Sequence, residues 1–462
     1  MFTWACDGLL SLRGVVARGV VGSLLVLVGG WLTASLPRSL WLLHDTPLGA
    51  ARASDAGPSV GLLLVLVGLV LLAHSWFALW RRCHGNLALV HGVAVLWSAP
   101  LLLAPPLFSR DAWSYAAQGT LARLGISPYE HGPAVLAGAI KQAVDPLWRH
   151  TPAPYGPLPL WWGEALAHHV TNPLFLVFGH RLLACLGLLL LALSAPRLAE
   201  LGGVDPARAS ALVLASPMML INGLAGLHND LFMVGLMAAA LAVTSSGSRG
   251  WLYGAALAGA AAAVKVPGGM VAVGVILLSL PVGATLAARA VRTVAVGAVA
   301  AAVLFGLGVV TGLGSGWVHA LGVPMVATTL SPLMAFGSAG RVLGTLLPLL
   351  LSGVVLAKAP TGRADRALLA VGVLYVAAVV LLPAIRLWYL LWPLPFLAAV
   401  RLPARGELVL VAAAVTMGAV APFGTLPLGI VVWLGALIVT GIVVGVSSGF
   451  GARVRRSRTV LS

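Results

Sequence analysis

Val60-Gly-Leu-Leu-Leu-Val-Leu-Val-Gly-Leu-Val-Leu-Leu-Ala-His-Ser-Trp-Phe-Ala-Leu79 runs for twenty residues without a formal charge and closes on Trp80-Arg81-Arg82. A helix of that length covers about 30 Å, the thickness of a bilayer's hydrocarbon core. The stretch lacks the period-two alternation that a membrane barrel strand requires. Similar apolar stretches fall near 18–36, 59–79, 86–107, 173–196, 209–222, 230–246, 250–264, 267–281, 293–313, 341–357, 367–383, 387–400, 407–421 and 426–447. Several are too short to cross a bilayer alone, and those beside Lys265 and Arg386 read as broken helices. The expected fold is therefore all-α: a polytopic helical membrane protein of about 11–14 transmembrane segments.

Composition agrees. Of 462 residues, 60% are apolar and only 9% charged, against roughly 25% charged in soluble chains. That excludes an ordinary soluble enzyme, a disordered chain and a secreted disulfide scaffold. Cys6, Cys83 and Cys185 form no metal-binding or redox motif. Residues 1–462 read as a single integral membrane domain, without internal repeats or an appended soluble unit. The segment before the first span is short, so no regulatory extension is expected. Arg13, Arg18 and the apolar run Val20–Leu32 also fit a cleaved signal peptide, the rival to a retained first helix.

The 28 basic and 12 acidic residues give a net charge of +16. In a membrane protein such an excess reflects the positive-inside bias, and no nucleic-acid partner is expected. With the N-terminus in the cytoplasm, the inside loops and C-terminal tail hold 18 cations and five acids. The outside and membrane keep ten cations and seven acids. This asymmetry predicts a multi-pass cell-membrane protein with both termini cytoplasmic.

One region breaks the apolar pattern. Residues 108–170 form a large first extracytoplasmic loop, expected to carry the chemistry on short helices. It holds four of the seven outer acids (Asp111, Glu130, Asp145 and Glu164) and the aromatics Tyr115, Tyr129, Tyr155, Trp113, Trp148, Trp161 and Trp162. Within Phe108-Ser-Arg-Asp-Ala-Trp-Ser-Tyr-Ala-Ala-Gln-Gly119, a helix from Asp111 to Leu124 is expected, capped by Ser109 and closed by Gly125. Asp111, Tyr115 and Gln118 stand at i, i+4 and i+7, on one face. A first-turn carboxylate is favoured in its ionised form and can act as general base, or it can merely stabilise the helix. Six prolines between 128 and 157 hold the following chain extended, which suits either a cavity wall or a rigid lid.

Asn222-Gly-Leu-Ala-Gly-Leu-His-Asn-Asp230 places His228, Asn229 and Asp230 at a helix junction. A buried unpaired carboxylate is costly, so the three suit either a polar knot or a substrate contact. Two ligand-type side chains are too few to indicate a metal. Lys265, Arg341 and Arg386 interrupt apolar stretches, as phosphate-binding cations or as snorkelling ones.

Phe108–Gln118, together with Asp145–Pro157 and Gly226–Asp230, resembles the polyprenol-phosphomannose-dependent α-1,6-mannosyltransferases of actinobacterial lipomannan and lipoarabinomannan assembly. These are multi-spanning enzymes of the GT-C type. The order Ser-Arg-Asp, Thr-Pro-Ala-Pro-Tyr-Gly-Pro, His-Asn-Asp carries the likeness, which runs roughly from residue 60 to 450. The resemblance implies a GT-C-like fold, an outward-facing active site, a polyprenyl-phosphate mannose donor and a lipid-linked α-mannan acceptor. It makes Asp111 the catalytic aspartate. Tyr115, Gln118, Tyr155, His228, Asn229 and Asp230 would then position sugars, with the phosphate held among Lys265, Arg341 and Arg386. The lone Ser-Arg-Asp, where relatives carry paired acids, gives a divalent metal no support, and no cofactor is expected. Other lipid-linked sugar donors, a protein acceptor, a transporter or flippase, and a structural partner of an envelope synthase stay open. A transporter would show two related halves, which the chain lacks.

Overall fold

In the computed structural model, residues 11–320, 332–382 and 385–423 are described, and among them the regular structure is entirely helical. The expected span at 426–447, Cys6 and the basic C-terminal tail lie outside those residues. The principal helices are α1 (Leu12–Thr33), α2 (Gly57–Arg82), α3 (Leu87–Leu102), α4 (Asp111–Arg123), α5 (Pro157–His169), α6 (Pro173–Gly202), α7 (Pro206–Ala215) and α8 (Asp230–Thr244). They are followed by α9 (Gly250–Val264), α10 (Ala272–Ser279), α11 (Leu286–Val310), α12 (Gly337–Lys358), α13 (Ala364–Leu381), α14 (Leu394–Ala398) and α15 (Ala404–Ala419).

Six of these, α1, α2, α6, α11, α12 and α13, are long and apolar enough to cross a membrane. This is a multi-pass membrane protein. A backbone in hydrocarbon has to satisfy its own hydrogen bonds, which is why the apolar runs are helical. The remaining apolar stretches are shorter or bent. That at 209–222 is α7 followed by a π-helical segment, Met219–Ala225, set at 51° to it. Those at 250–264 and 267–281 are α9 and α10, separated by Lys265 in extended conformation (φ −157°, ψ 129°) and a 3-10 turn. Arg386 stands in a similar break after α13 (φ −127°, ψ 150°). Both breaks match the sequence expectation.

Burial separates the helices into two kinds. In α8, thirteen residues around every face plus Asp230 are buried, so a helix apolar all round sits in the centre. By contrast α11 buries only Val296, Leu304 and Gly308, leaving Val291, Val294, Val309 and Val310 exposed as a lipid-facing surface. The first helix is knit into the bundle: Trp97 Nε1 donates to the Val16 carbonyl at 3.0 Å, and Arg18 Nε to the Ser75 hydroxyl at 3.1 Å.

Between α3 and α6, the stretch 108–170 carries α4, α5 and shorter turns. α4 and α5 cross at Gly119 and Gly163, where a Cβ on Gly119 would collide with the Gly163 backbone. That close approach fixes the height of α4 over the bundle.

Candidate active site

α4 begins where the sequence places it, with one adjustment. Arg110 occupies the N-cap position, and the Ser109 hydroxyl accepts the Asp111 N–H at 3.1 Å. Gly125 closes the helix at φ +71°, a left-handed conformation open to glycine at little cost. Just upstream, Phe108 holds φ +62°, a strained value for a bulky side chain. That turn aims the start of α4, and with it Asp111, into a cleft.

The cleft encloses about 620 Å³ of empty space, counting its open mouth. Asp111, Ser114 and Gln118 of α4 form one wall. Tyr115, expected on the same face, instead turns inward. Its ring meets Tyr155 edge-on at 5.2 Å and lies 5.8 Å from His180. The swap is one of helical angle: i+3 and i+7 share the cleft, whereas i+4 rotates toward the core. The opposite walls are the proline-rich segment, with Trp148, Thr151 and Tyr155, and the break after α13, with Arg386, Trp388 and Tyr389. Gly156 donates its N–H to the Val264 carbonyl at 3.0 Å, and no Cβ fits there against Ala263. This contact seats Tyr155 beside Lys265, whose Nζ lies 5.8 Å from the Tyr155 ring.

A second loop arrives from below. After the π-helical segment, Leu227 takes φ +59°, a second strained turn, and delivers His228. Its Nδ1 lies 3.3 Å from Asp111 Oδ2, though off the line of a hydrogen bond. The imidazole stacks on Trp388 at 3.7 Å with 14° between planes. Asn229 is buried, and its Nδ2 has no partner among the described residues.

Asp230 faces elsewhere. It is fully buried, accepts Lys265 Nζ at 3.0 and 3.3 Å on its two oxygens, and accepts Trp392 Nε1 at 2.7 Å. None of the His228–Asp230 triplet read from sequence is among the cleft-lining residues: His228 stands behind Asp111 and Trp388, and Asp230 is deeper, where a carboxylate requires a counter-ion. Lys265 reaches the cleft with its ammonium boxed by the Tyr389 ring at 4.1 Å and the Trp392 ring at 5.4 Å. Arg386 differs: it lies over Trp148 at 5.5 Å, with no carboxylate within ion-pairing distance among the described residues. Arg341 stands near the start of α12 and is not among the lining residues.

The electrostatics favour an ionised Asp111. Burial pushes its carboxyl upward, but the His228 imidazole and the Arg386 and Lys265 cations outweigh that and hold it below the usual carboxylate range. Its side chain is 15% exposed, so the charge remains reachable. Burial raises the Tyr115 and Tyr155 phenols well above their ordinary range, leaving them neutral. Ser114 Oγ and Gln118 Oε1 are buried without a hydrogen-bond partner among the described residues, and such atoms are ordinarily satisfied by water or ligand. The cleft therefore joins an ionised base, aromatic walls, orphan polar atoms and a fixed cation. Among the described residues, no three His, Cys, Asp or Glu side chains gather as a metal site.

Sequence reasoning reached most of these residues but missed Ser114, Thr151, Trp388 and Tyr389. The Trp-Tyr pair is visible beside Arg386 in the sequence. Ser114 offered only its spacing from Asp111.

Comparison with known proteins adds identity to this geometry. Residues 16–281 match the family model described as Alpha-(1->6)-mannopyranosyltransferase, N-terminal domain. The chain is 32% identical over 417 residues to Alpha-(1->6)-mannopyranosyltransferase A of Mycobacterium tuberculosis, covering 82% of this chain and 79% of that relative. It is 31% identical over 456 residues to a Mycolicibacterium smegmatis protein named "Probable alpha-(1->6)-mannopyranosyltransferase", covering 85% of this chain and 79% of the relative. It is 29% identical over 462 residues to Alpha-(1->6)-mannopyranosyltransferase Rv1459c of Mycobacterium tuberculosis, covering 82% and 77%. No solved structure matches the chain. A match over more than half the chain, with relatives aligned along most of their own length, places this protein in the alpha-(1->6)-mannopyranosyltransferase family.

Proposed function

We propose that the protein is an inverting mannosyltransferase. It moves mannose from polyprenyl-phosphate mannose to an α-1,6-mannan, itself lipid-linked, on the outer face of the cytoplasmic membrane. The observation that carries this reading is the joint placement of Asp111 and Arg386 on one cleft.

Asp111 takes the proton from the acceptor's 6-hydroxyl. The resulting oxygen attacks the anomeric carbon as the bond from that carbon to the phosphate oxygen breaks, turning a β-linked mannose into an α-linked one. The bonding electrons leave with the polyprenyl phosphate, whose charge Arg386 meets with its guanidinium fork. Lys265, already committed to Asp230, adds positive potential without being the principal anchor. Trp148, Tyr155, Trp388 and Tyr389 offer apolar faces for sugar rings, and Ser114 and Gln118 offer orphan atoms for sugar hydroxyls. His228 steadies Asp111, and Tyr115 braces Tyr155. The outward orientation is supported by the excess of cations assigned to the inner loops, with both termini cytoplasmic. Lipids covering α11 and α12 would be its surroundings.

The test is Asp111→Asn, assayed by radiolabelled transfer from polyprenyl-phosphate mannose to an α-1,6-mannan oligosaccharide. Transfer is expected to fall at least about a thousandfold, in the range of lost acid–base catalysis, in a protein that remains folded. Near-normal turnover would refute the base assignment.

A further inference from the structure

The two segments that lead to Asp111 and to His228 are tied together by one buried side chain. Arg181, on α6, is only 3% exposed. Its Nη1 donates to the carbonyls of Leu101 at 2.8 Å and Leu224 at 3.0 Å, and its Nη2 donates to the Ala104 carbonyl at 2.6 Å. Leu101 lies in the last turn of α3, which contains Pro100, and Ala104 lies just beyond it, where the chain runs into the Asp111 loop. Leu224 belongs to the π-helical segment that runs into His228. Helix ends leave carbonyls without intrahelical donors, and one planar guanidinium answers both ends at once. Beside it, Leu107 N–H donates to the Ala225 carbonyl at 3.1 Å, a direct bond between the two loops.

No carboxylate lies within ion-pairing distance of Arg181 among the described residues, so backbone dipoles and the Phe178 ring at 5.7 Å are its company. A buried charge kept without a counter-ion is costly and marks a position where its geometry is needed. Downstream of the two tied segments come the left-handed turns at Phe108 and Leu227. Each turn transmits the position of its segment to the residues that follow, Asp111 and His228.

We propose that Arg181 is a positioning residue that sets the separation between Asp111 and His228, holding the base in register with the cleft. The idea rests on Asp111 being the base. Arg181 touches neither substrate nor reacting atoms; it acts through the backbone of the two loops.

The experiment compares purified wild type, Arg181→Met and Arg181→Lys in detergent, each checked for a monodisperse elution profile and its melting temperature. Initial rates of mannose transfer are measured across pH with both substrates varied. In Arg181→Met, kcat is expected to fall about a hundredfold, the loss that an ångström of misplacement produces, while KM stays within about threefold. Arg181→Lys, with the charge but not the fork, is expected between the two. The groups around Asp111 are His228, Arg386 and Lys265, opposed by burial, with the Tyr115 and Tyr155 phenols and Asp230 in the same neighbourhood. Moving His228 away removes a lowering influence, so the acid limb of kcat is expected to shift to higher pH. An unchanged kcat in a folded Arg181→Met protein overturns the proposal. So does a loss of kcat with the acid limb unmoved, or failure of both variants to fold, either of which marks Arg181 as holding the fold only. If Asp111→Asn itself retains turnover, the base assignment has failed instead, and the two failures are told apart.

Discussion

Lys265 and Arg386 occupy matching breaks in the bundle, one between α9 and α10 and the other after α13, and both line the same cleft. Their surroundings are opposite. Lys265 is clasped by a fully buried carboxylate and boxed in by Tyr389 and Trp392. Arg386 rests on one Trp face and makes no ion pair among the described residues, feeling Asp111 only across the cleft. A cation that has already found its counter-ion stabilises the protein's own architecture. A cation that has not is available to an anionic ligand. The same pair of breaks thus yields one architectural charge and one working charge, and the two acids divide in the same way, Asp230 and Asp111 respectively.

The sharpest division is expected between those two acids. Asp111→Asn is expected to remove transfer while shifting the melting temperature by no more than about 2 °C, because a partly exposed group at the cleft contributes little to stability. Asp230→Asn strands a buried ammonium. Breaking a buried ion pair costs about 3–5 kcal/mol, read as a lower melting temperature or loss of monodisperse protein. If Asp230→Asn melted like wild type, the distinction between the two acids would be lost.

The same logic applies to the cations. Lys265→Met alone is expected to destabilise by about 3–5 kcal/mol, because Asp230 is then left charged and alone. Combining Lys265→Met with Asp230→Leu is expected to recover most of that loss, as replacing a whole buried pair by apolar residues often does. A double variant as unstable as the sum of the singles would show that the pair is not a unit. Arg386→Gln is expected to leave melting nearly unchanged and to raise KM for the lipid donor by about ten- to a hundredfold, the value of about 1.5–3 kcal/mol for a charged hydrogen bond. Arg386→Lys should recover part of it. An unaltered donor KM would exclude Arg386 from phosphate binding.

How far the sequence exposes this arrangement depends on whether a feature is local. The breaks at Lys265 and Arg386 are legible because charged residues divide apolar runs too short to cross a bilayer. Gly125 announces the end of α4 by its left-handed backbone, and Ser109 marks the start to within a residue by a hydroxyl that accepts the Asp111 N–H. Partner choice is not local: Lys265 and Asp230 are 35 residues apart, and nothing between them predicts that they pair. The π-helical segment 219–225 is also hidden, since its widened turn has no composition of its own, yet it decides where His228 points. Ser114 and Tyr115 show the finer limit. Both sit on Asp111's side of α4 by spacing, and the sequence does not say that Ser114 faces the cleft while Tyr115 packs against Tyr155 and His180.

The smallest expected effect is a displacement on the pH axis, and it tests the working half of the comparison most directly. Asp111 is held below the usual carboxylate range against the opposition of burial, so its charged form is present at neutral pH. The contribution that depends on that charge is complete above its unfolded value of about 3.9 and fades as pH falls through the lower folded value. The acid limb of kcat should therefore lie on the acid side of the ordinary carboxylate range, with no loss near neutral pH from this group. His228 and Arg386 both pull in that direction, but only His228 touches the carboxylate, at 3.3 Å. His228→Gln, which keeps a polar side chain, is expected to move the acid limb upward, because a lowering influence on the carboxylate is lost. Arg386→Gln, acting from further off, should move it less and mainly raise the donor KM. If His228→Gln left the limb in place while Arg386→Gln displaced it, the base would be governed by the ligand-binding cation, and the separation between the groups that hold Asp111 and the group that holds phosphate would collapse.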